Sequence, residues 1–85
     1  IMSITSSQIV VDGTPVALAT ANGMPLEVHL HAKGAIYVGN ASVSTSNGLN
    51  IDNGDKIVFT VPDGSGLYAV AAQGTVTVGV LVAVL

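Results

Sequence analysis

Cysteine, arginine and tryptophan are all absent from this 85-residue sequence. Without cysteine there is no disulfide to staple the fold, and no thiolate to ligate a metal or attack a substrate. Without arginine, the side-chain cations are Lys33 and Lys56 against five acidic residues, for a formal net charge of −3. Two lysines cannot build a basic patch, which excludes direct nucleic-acid binding. Charged residues make up 8% of the chain, roughly a third of the usual share of about 25%. Aromatics are confined to Tyr37, Phe59 and Tyr68. No apolar run approaches the ~20 residues of a membrane helix, so no membrane partner is expected. The opening residues show no basic segment followed by an apolar stretch, so no signal peptide is expected there.

What remains is apolar and neutral: 49% of the residues are hydrophobic, and Ser, Thr, Asn, Gln and backbone must supply most of the surface polarity. Such a surface has little electrostatic defence against association. The length fits a single domain spanning residues 1–85, with the polar residues 1–8 as a flexible N-terminal arm.

Period-two alternation dominates the chain. Leu26, Val28, Leu30 and Ala32 share one face of a predicted strand, and Glu27, His29 and His31 share the other. Ile57, Phe59 and Val61 alternate with Lys56, Val58 and Thr60 in the same way. Further strands are expected at Ile9–Val11, Val16–Leu18, Ala35–Val38, Leu67–Ala72 and Thr75–Leu85, with a short one around Val43. Turn signals punctuate them at Asp12-Gly13, Asn22-Gly23, Asn47-Gly48, Asn53-Gly54, Asp63-Gly64 and Gln73-Gly74. No stretch reads as an amphipathic helix. The pattern predicts an all-β fold, a compact antiparallel β-sandwich or jelly-roll-like barrel of about seven or eight strands. The end of the last strand, from Val80 to Leu85, is apolar on both faces, which calls for cover on both sides.

Nothing in the sequence selects a catalytic constellation. Glu27, His29 and His31 share a strand face. That spacing suits a divalent metal in principle, but structural zinc takes four ligands and catalytic zinc three with water; a polar outer face or a pH-sensitive interface uses the same residues. Asp12, Asp52, Asp55 and Asp63 all fall in or beside turns, where aspartate bonds to its own backbone. The segment from Gly54-Asp55 to Pro62-Asp63-Gly64 resembles the second conserved motif of cupins, without that motif's downstream histidine and asparagine. No enzyme activity, metal site or cofactor is therefore expected. Tyr37, Tyr68, Val80, Leu81, Val82, Val84 and Leu85 are the candidate oligomer or packing interface, because a half-buried aromatic or a doubly apolar strand is a natural contact. Asn22, Asn47 and Asp63 are the candidate loop contacts.

One ordered series carries a family resemblance. Glu27-Val28-His29-Leu30-His31 leads to Ala35-Ile36-Tyr37-Val38-Gly39-Asn40, then Asp52-Asn53-Gly54-Asp55, and closes on Leu67-Tyr68-Ala69-Val70-Ala71-Ala72-Gln73-Gly74-Thr75. Over roughly residues 26 to 82 it resembles small tailed-bacteriophage virion proteins of the head-decoration, cement or minor structural kind. The resemblance implies a structural protein that binds the outside of a bacteriophage capsid, as a homo-oligomer with a trimer favoured. Its partner would be the major capsid protein, and its location the outer capsid surface of the virion after assembly in the host cytoplasm. The alternative it leaves is a carbohydrate- or receptor-binding module of a phage tail or fibre.

Overall fold

The computed structural model describes residues 3–84 as eight strands, with no helix among them. They are β1 (Ile4–Val11), β2 (Val16–Thr20), β3 (Leu26–Ala32), β4 (Ile36–Gly39), β5 (Leu49–Ile51), β6 (Lys56–Val61), β7 (Gly66–Ala71) and β8 (Val76–Val84). Two four-stranded antiparallel sheets result, the first in the order β1-β8-β3-β6 and the second in the order β2-β7-β4-β5. Every connection except β4–β5 crosses from one sheet to the other. That is jelly-roll topology, as the alternation and turn spacing predict.

The core follows from the registers. In the first sheet, Val78 of β8 stands opposite Ile9 on one side and Ala32 on the other, and Leu30 pairs with both Val80 and Ile57. In the second sheet, Ile36 pairs with both Ile51 and Ala71. Paired residues share a face, so these apolar sets meet between the sheets; Val11, Val28, Ile36, Ile51 and Val78 are the largest side chains fully shut from water. In β2 the register shifts between Ala17 and Ala19. This bulge lets both Leu18 and Ala19 pack on the core.

The corners are laced in pairs. The Ala21 N–H donates to the Ser65 carbonyl at 2.8 Å, and the Gly64 N–H donates to the Ala21 carbonyl at 3.0 Å. The Asp63 carboxylate accepts the Gly23 N–H at 2.7 Å, tying the β2–β3 corner to the β6–β7 corner. Gly23 and Gly64 have φ of +97° and +85°, which L side chains adopt only under strain, so the glycines of these two turn signals meet a backbone requirement.

Two stretches differ from expectation. From Ile4 onward the polar N-terminal stretch is not an arm but an edge strand, paired with β8 from Ile4↔Ala83 to Val11↔Val76. Backbone pairing holds it, since Ile4 through Gln8 are all exposed. Val43 is in no strand. It sits in the β4–β5 connection, residues 40–48, which folds back over the outer face of the second sheet. Val43 is buried there, apart from the main core, as is Val70 opposite Tyr37. Asn47 knots this loop: its side-chain oxygen accepts the Ser44 N–H at 2.8 Å and its amide donates to the Ser42 carbonyl at 3.4 Å.

Replacing Ile36 with alanine should cost about 2–5 kcal/mol, since the side chain is wholly enclosed between the sheets. A urea unfolding midpoint that moves by less than experimental error would contradict this core. Gly48→Ala tests the folded-back loop. A Cβ there would meet Tyr37 Cβ and a Val43 methyl at 2.8 Å and the Ser44 carbonyl oxygen at 3.0 Å, and overpacking of this kind costs about 1–3 kcal/mol. Amide exchange at residues 42–48 should accelerate in the variant; unchanged protection would show that the loop is not seated on the sheet.

Candidate binding face

The outer face of the first sheet is assembled row by row from cross-strand partners. Its central row is Ser6, Leu81, His29 and Val58. On one side lies the row of Gln8, Gly79, His31 and Lys56; on the other lies Ile4, Ala83, Glu27 and Thr60. Val10 and Thr77 extend it beyond Gln8 and Gly79. Large apolar side chains stand in water here: Ile4 is 69% exposed, Val10 61%, Val58 54% and Leu81 39%. Met24 and Leu49 are also exposed, but they lie in a corner and on an edge strand, away from this face.

Gly79 shapes the middle of the face. With no side chain on the central strand, a shallow open groove of about 550 Å³ forms, with Gln8, His31, Lys56, Val58 and Leu81 among its lining residues. The Gln8 amide lies across Gly79, 3.4 Å from where a Cβ would stand, and its oxygen accepts from Lys33 Nζ at 3.5 Å. His29 Nε2 and Glu27 Oε1 lie 2.7 Å apart, both groups partly exposed. His31 does not join them, and no three His, Asp or Glu side chains among the described residues come together to hold a metal ion. Charge on the face is therefore polarised along the strands. Glu27 stands in one flanking row, and Lys56 in the other.

The two outer faces are not alike. The second sheet is partly covered by its own chain, through residues 40–48, whereas among the described residues nothing lies over the first. A second groove, about 510 Å³, runs past Phe59, Pro62 and Tyr68 at the side of the sandwich, and it carries no charged side chain.

The residues singled out from the sequence scatter over this framework. Val80 points into the core and is buried, while Val82 and Val84 are half-buried on the same inner face. Leu81 is on the bare outer face. Leu85 lies outside the described residues. The last strand is thus flanked by β1 and β3 within one sheet, and no described residue supplies the cover expected on its outer side. Tyr37 and Tyr68 sit half-buried on the outer face of the second sheet; Tyr68 packs over Gly66, 2.9 Å from the position of an added Cβ. Asn22 is exposed at its turn, while Asn47 and Asp63 make the internal bonds described above. The carboxylates of Asp12 and Asp55 accept turn N–H groups from Thr14 and Asp52, which leaves Glu27 as the carboxylate on the candidate face. Sequence reasoning missed Gln8, Val10 and Val58 as parts of one surface, because only the pairings of β1 with β8, β8 with β3 and β3 with β6 bring them together.

No protein-family model and no curated protein matches the chain. Among solved structures, the fold matches a chain from Bacillus endospore appendages, described as a novel family of disulfide-linked pili. The TM-score is 0.70 at 11% sequence identity, over 98% of this chain and 84% of that one. At that identity the likeness is one of fold. It nevertheless overturns the bacteriophage expectation in each of its parts: capsid decoration or cement, a tail or fibre module, a trimer on the major capsid protein, and a virion location. The physical reason lies in the motifs themselves. The Tyr-Val-Gly-Asn exit is the end of β4, the Asp-Asn-Gly-Asp cluster is the β5–β6 corner, and Leu-Tyr-Ala-Val-Ala-Ala is β7 running to its corner. They are the strand and turn grammar of a jelly roll, shared by sandwiches with unrelated duties.

Proposed function

We propose that this chain is a structural subunit of a bacterial surface appendage, a pilus-like assembly outside the cell, built by non-covalent association of small jelly rolls. The observation that carries the proposal is the fold likeness to the endospore-appendage chain over 98% of the present sequence. Three features support it. Among the described residues no three His, Asp or Glu side chains come together to hold a metal ion. The surface is poor in charge, so packing it against a neighbour strips water from few ions. Each sheet also ends in edge strands, β1 and β6 in one and β2 and β5 in the other, whose outward backbone groups are open to pairing.

The appendages of the similar structure are described as disulfide-linked. These 85 residues include no cysteine, so the contacts they make hold by packing and hydrogen bonds. Such contacts depend on concentration and gain strength by repetition.

Purified chain, concentrated and observed by negative-stain microscopy and native mass spectrometry, should form oligomers or filaments that persist unchanged in excess thiol reductant. A chain that stays monomeric up to millimolar concentration would defeat the proposal.

A further inference from the structure

We infer that the bare outer face of the first sheet is where a second copy of this chain docks, face to face, about a two-fold axis lying along the row of Leu81, His29 and Val58. This deepens the appendage reading and rests on its premise that the chain self-associates.

Shape gives the first argument. Along β8, the protruding Leu81 lies between two small residues, Gly79 and Ala83. A two-fold axis through Leu81 brings Leu81 of each copy to the centre and sets Gly79 of one opposite Ala83 of the other. The small residues leave room for each leucine to lean aside, so the sheets can approach to about 10 Å, the usual separation of packed sheets.

Charge gives the second. The same axis exchanges the two flanking rows, so Glu27 of one copy stands over His31 of the other. Lys56 of that other copy is then one strand spacing away, about 4.8 Å, within reach of a lysine side chain. The contact occurs twice by symmetry. An axis along the strands instead would place Glu27 over Ala83 and Lys56 over Gln8, pairing no charges. Glu27 Oε1 lies 2.7 Å from His29 Nε2, a contact that uses one carboxylate oxygen.

Area sets the strength of the contact. Four strands and the rows that the axis superposes, Ile4 to Gln8, span roughly 19 Å by 17 Å at ordinary strand dimensions. Two such faces cover roughly 650 Å², below the size of a stable isolated dimer, so each contact is weak and suits an assembly that repeats it many times. The second sheet offers less open surface, because residues 40–48 lie over part of it.

The absence of cysteine makes a direct test available. Facing Cα atoms about 10 Å apart are too distant for a disulfide, so the test uses a short bis-maleimide: Leu81→Cys, the only thiol in its chain, should link to its own copy and give a dimer on a denaturing gel. Ala83→Cys alone should not, but mixed with Gly79→Cys it should give the crossed dimer. Ala17→Cys, on the outer face of the second sheet, is the control and should stay unlinked. Leu81→Lys should raise the dimer dissociation constant at least tenfold without lowering the unfolding temperature. If the unmodified chain assembles but Leu81→Cys links no better than Ala17→Cys, the face pairing is overturned and the appendage reading stands. If the unmodified chain does not self-associate at all, both fail.

Discussion

The pairing of β8 with β1 on one side and β3 on the other is the constraint on which the rest of the molecule depends. Its register sets Val76, Val78 and Val80 toward the second sheet and Thr77, Gly79 and Leu81 away from it. Because the side-chain period in a strand is two, a slip of one residue would exchange these sets. Leu81 and Gly79 would then enter the core, leaving a void beside Leu30, while the valines would face water. The strands on either side enforce the same choice, since Ile9 and Ala32 both oppose Val78. The core and the outer surface are consequently two results of one register, and neither can be altered alone.

That register also explains why the two sides of the sandwich behave differently. The β4–β5 connection is the one that stays within a sheet, and it is long enough to fold back. Gly39 and Gly48 allow it to approach closely: an added Cβ at either position would touch Val43 at about the limit of contact or inside it. A small hydrophobic cluster around Val43 therefore covers part of the outer face of the second sheet, over Gly39 and Gly48. The first sheet has only corner connections, which run across the ends of the sandwich, and none of them reaches its outer face. Val10, Val58 and Leu81 stay in water for that topological reason.

How much of this was legible in the sequence varies with the range of the interaction that decides it. Leu26 to Ala32 alternates cleanly, and β3 appears where the alternation lies. Turns at Asn22-Gly23, Asn53-Gly54, Asp63-Gly64 and Gln73-Gly74 were legible because their glycines take positive φ, a local demand written in local residues. Ile4 to Gln8 was not legible as a strand, since its side chains are polar or exposed and its order comes from a partner strand at the other end of the chain. Val43 misled for a similar reason: its burial depends on Gly39, Gly48 and Tyr37, and on a loop that turns back. The candidate face was the least legible of all. His29 and His31 were visible as a pair, but Gln8, Lys56, Val58 and Leu81 join them only through three separate strand pairings. The phage resemblance failed because its motifs are the strands and corners of the jelly roll itself, and a fold does not carry a function.

Scarcity of charge has a different meaning once the surface is placed in space. On an isolated domain it is a hazard, because little repels a neighbour. On a surface built for contact it lowers the cost of drying the interface, since Ser, Thr, Gly and imidazole lose less hydration than ammonium or carboxylate groups. The few charges that remain on the outer face are separated along the strands, Glu27 from Lys56, and so they favour one orientation of a partner over another. Electrostatics of this kind adds little binding energy but selects register. In the proposed assembly, selection of that sort would restrict how copies meet while leaving each contact weak enough to form reversibly.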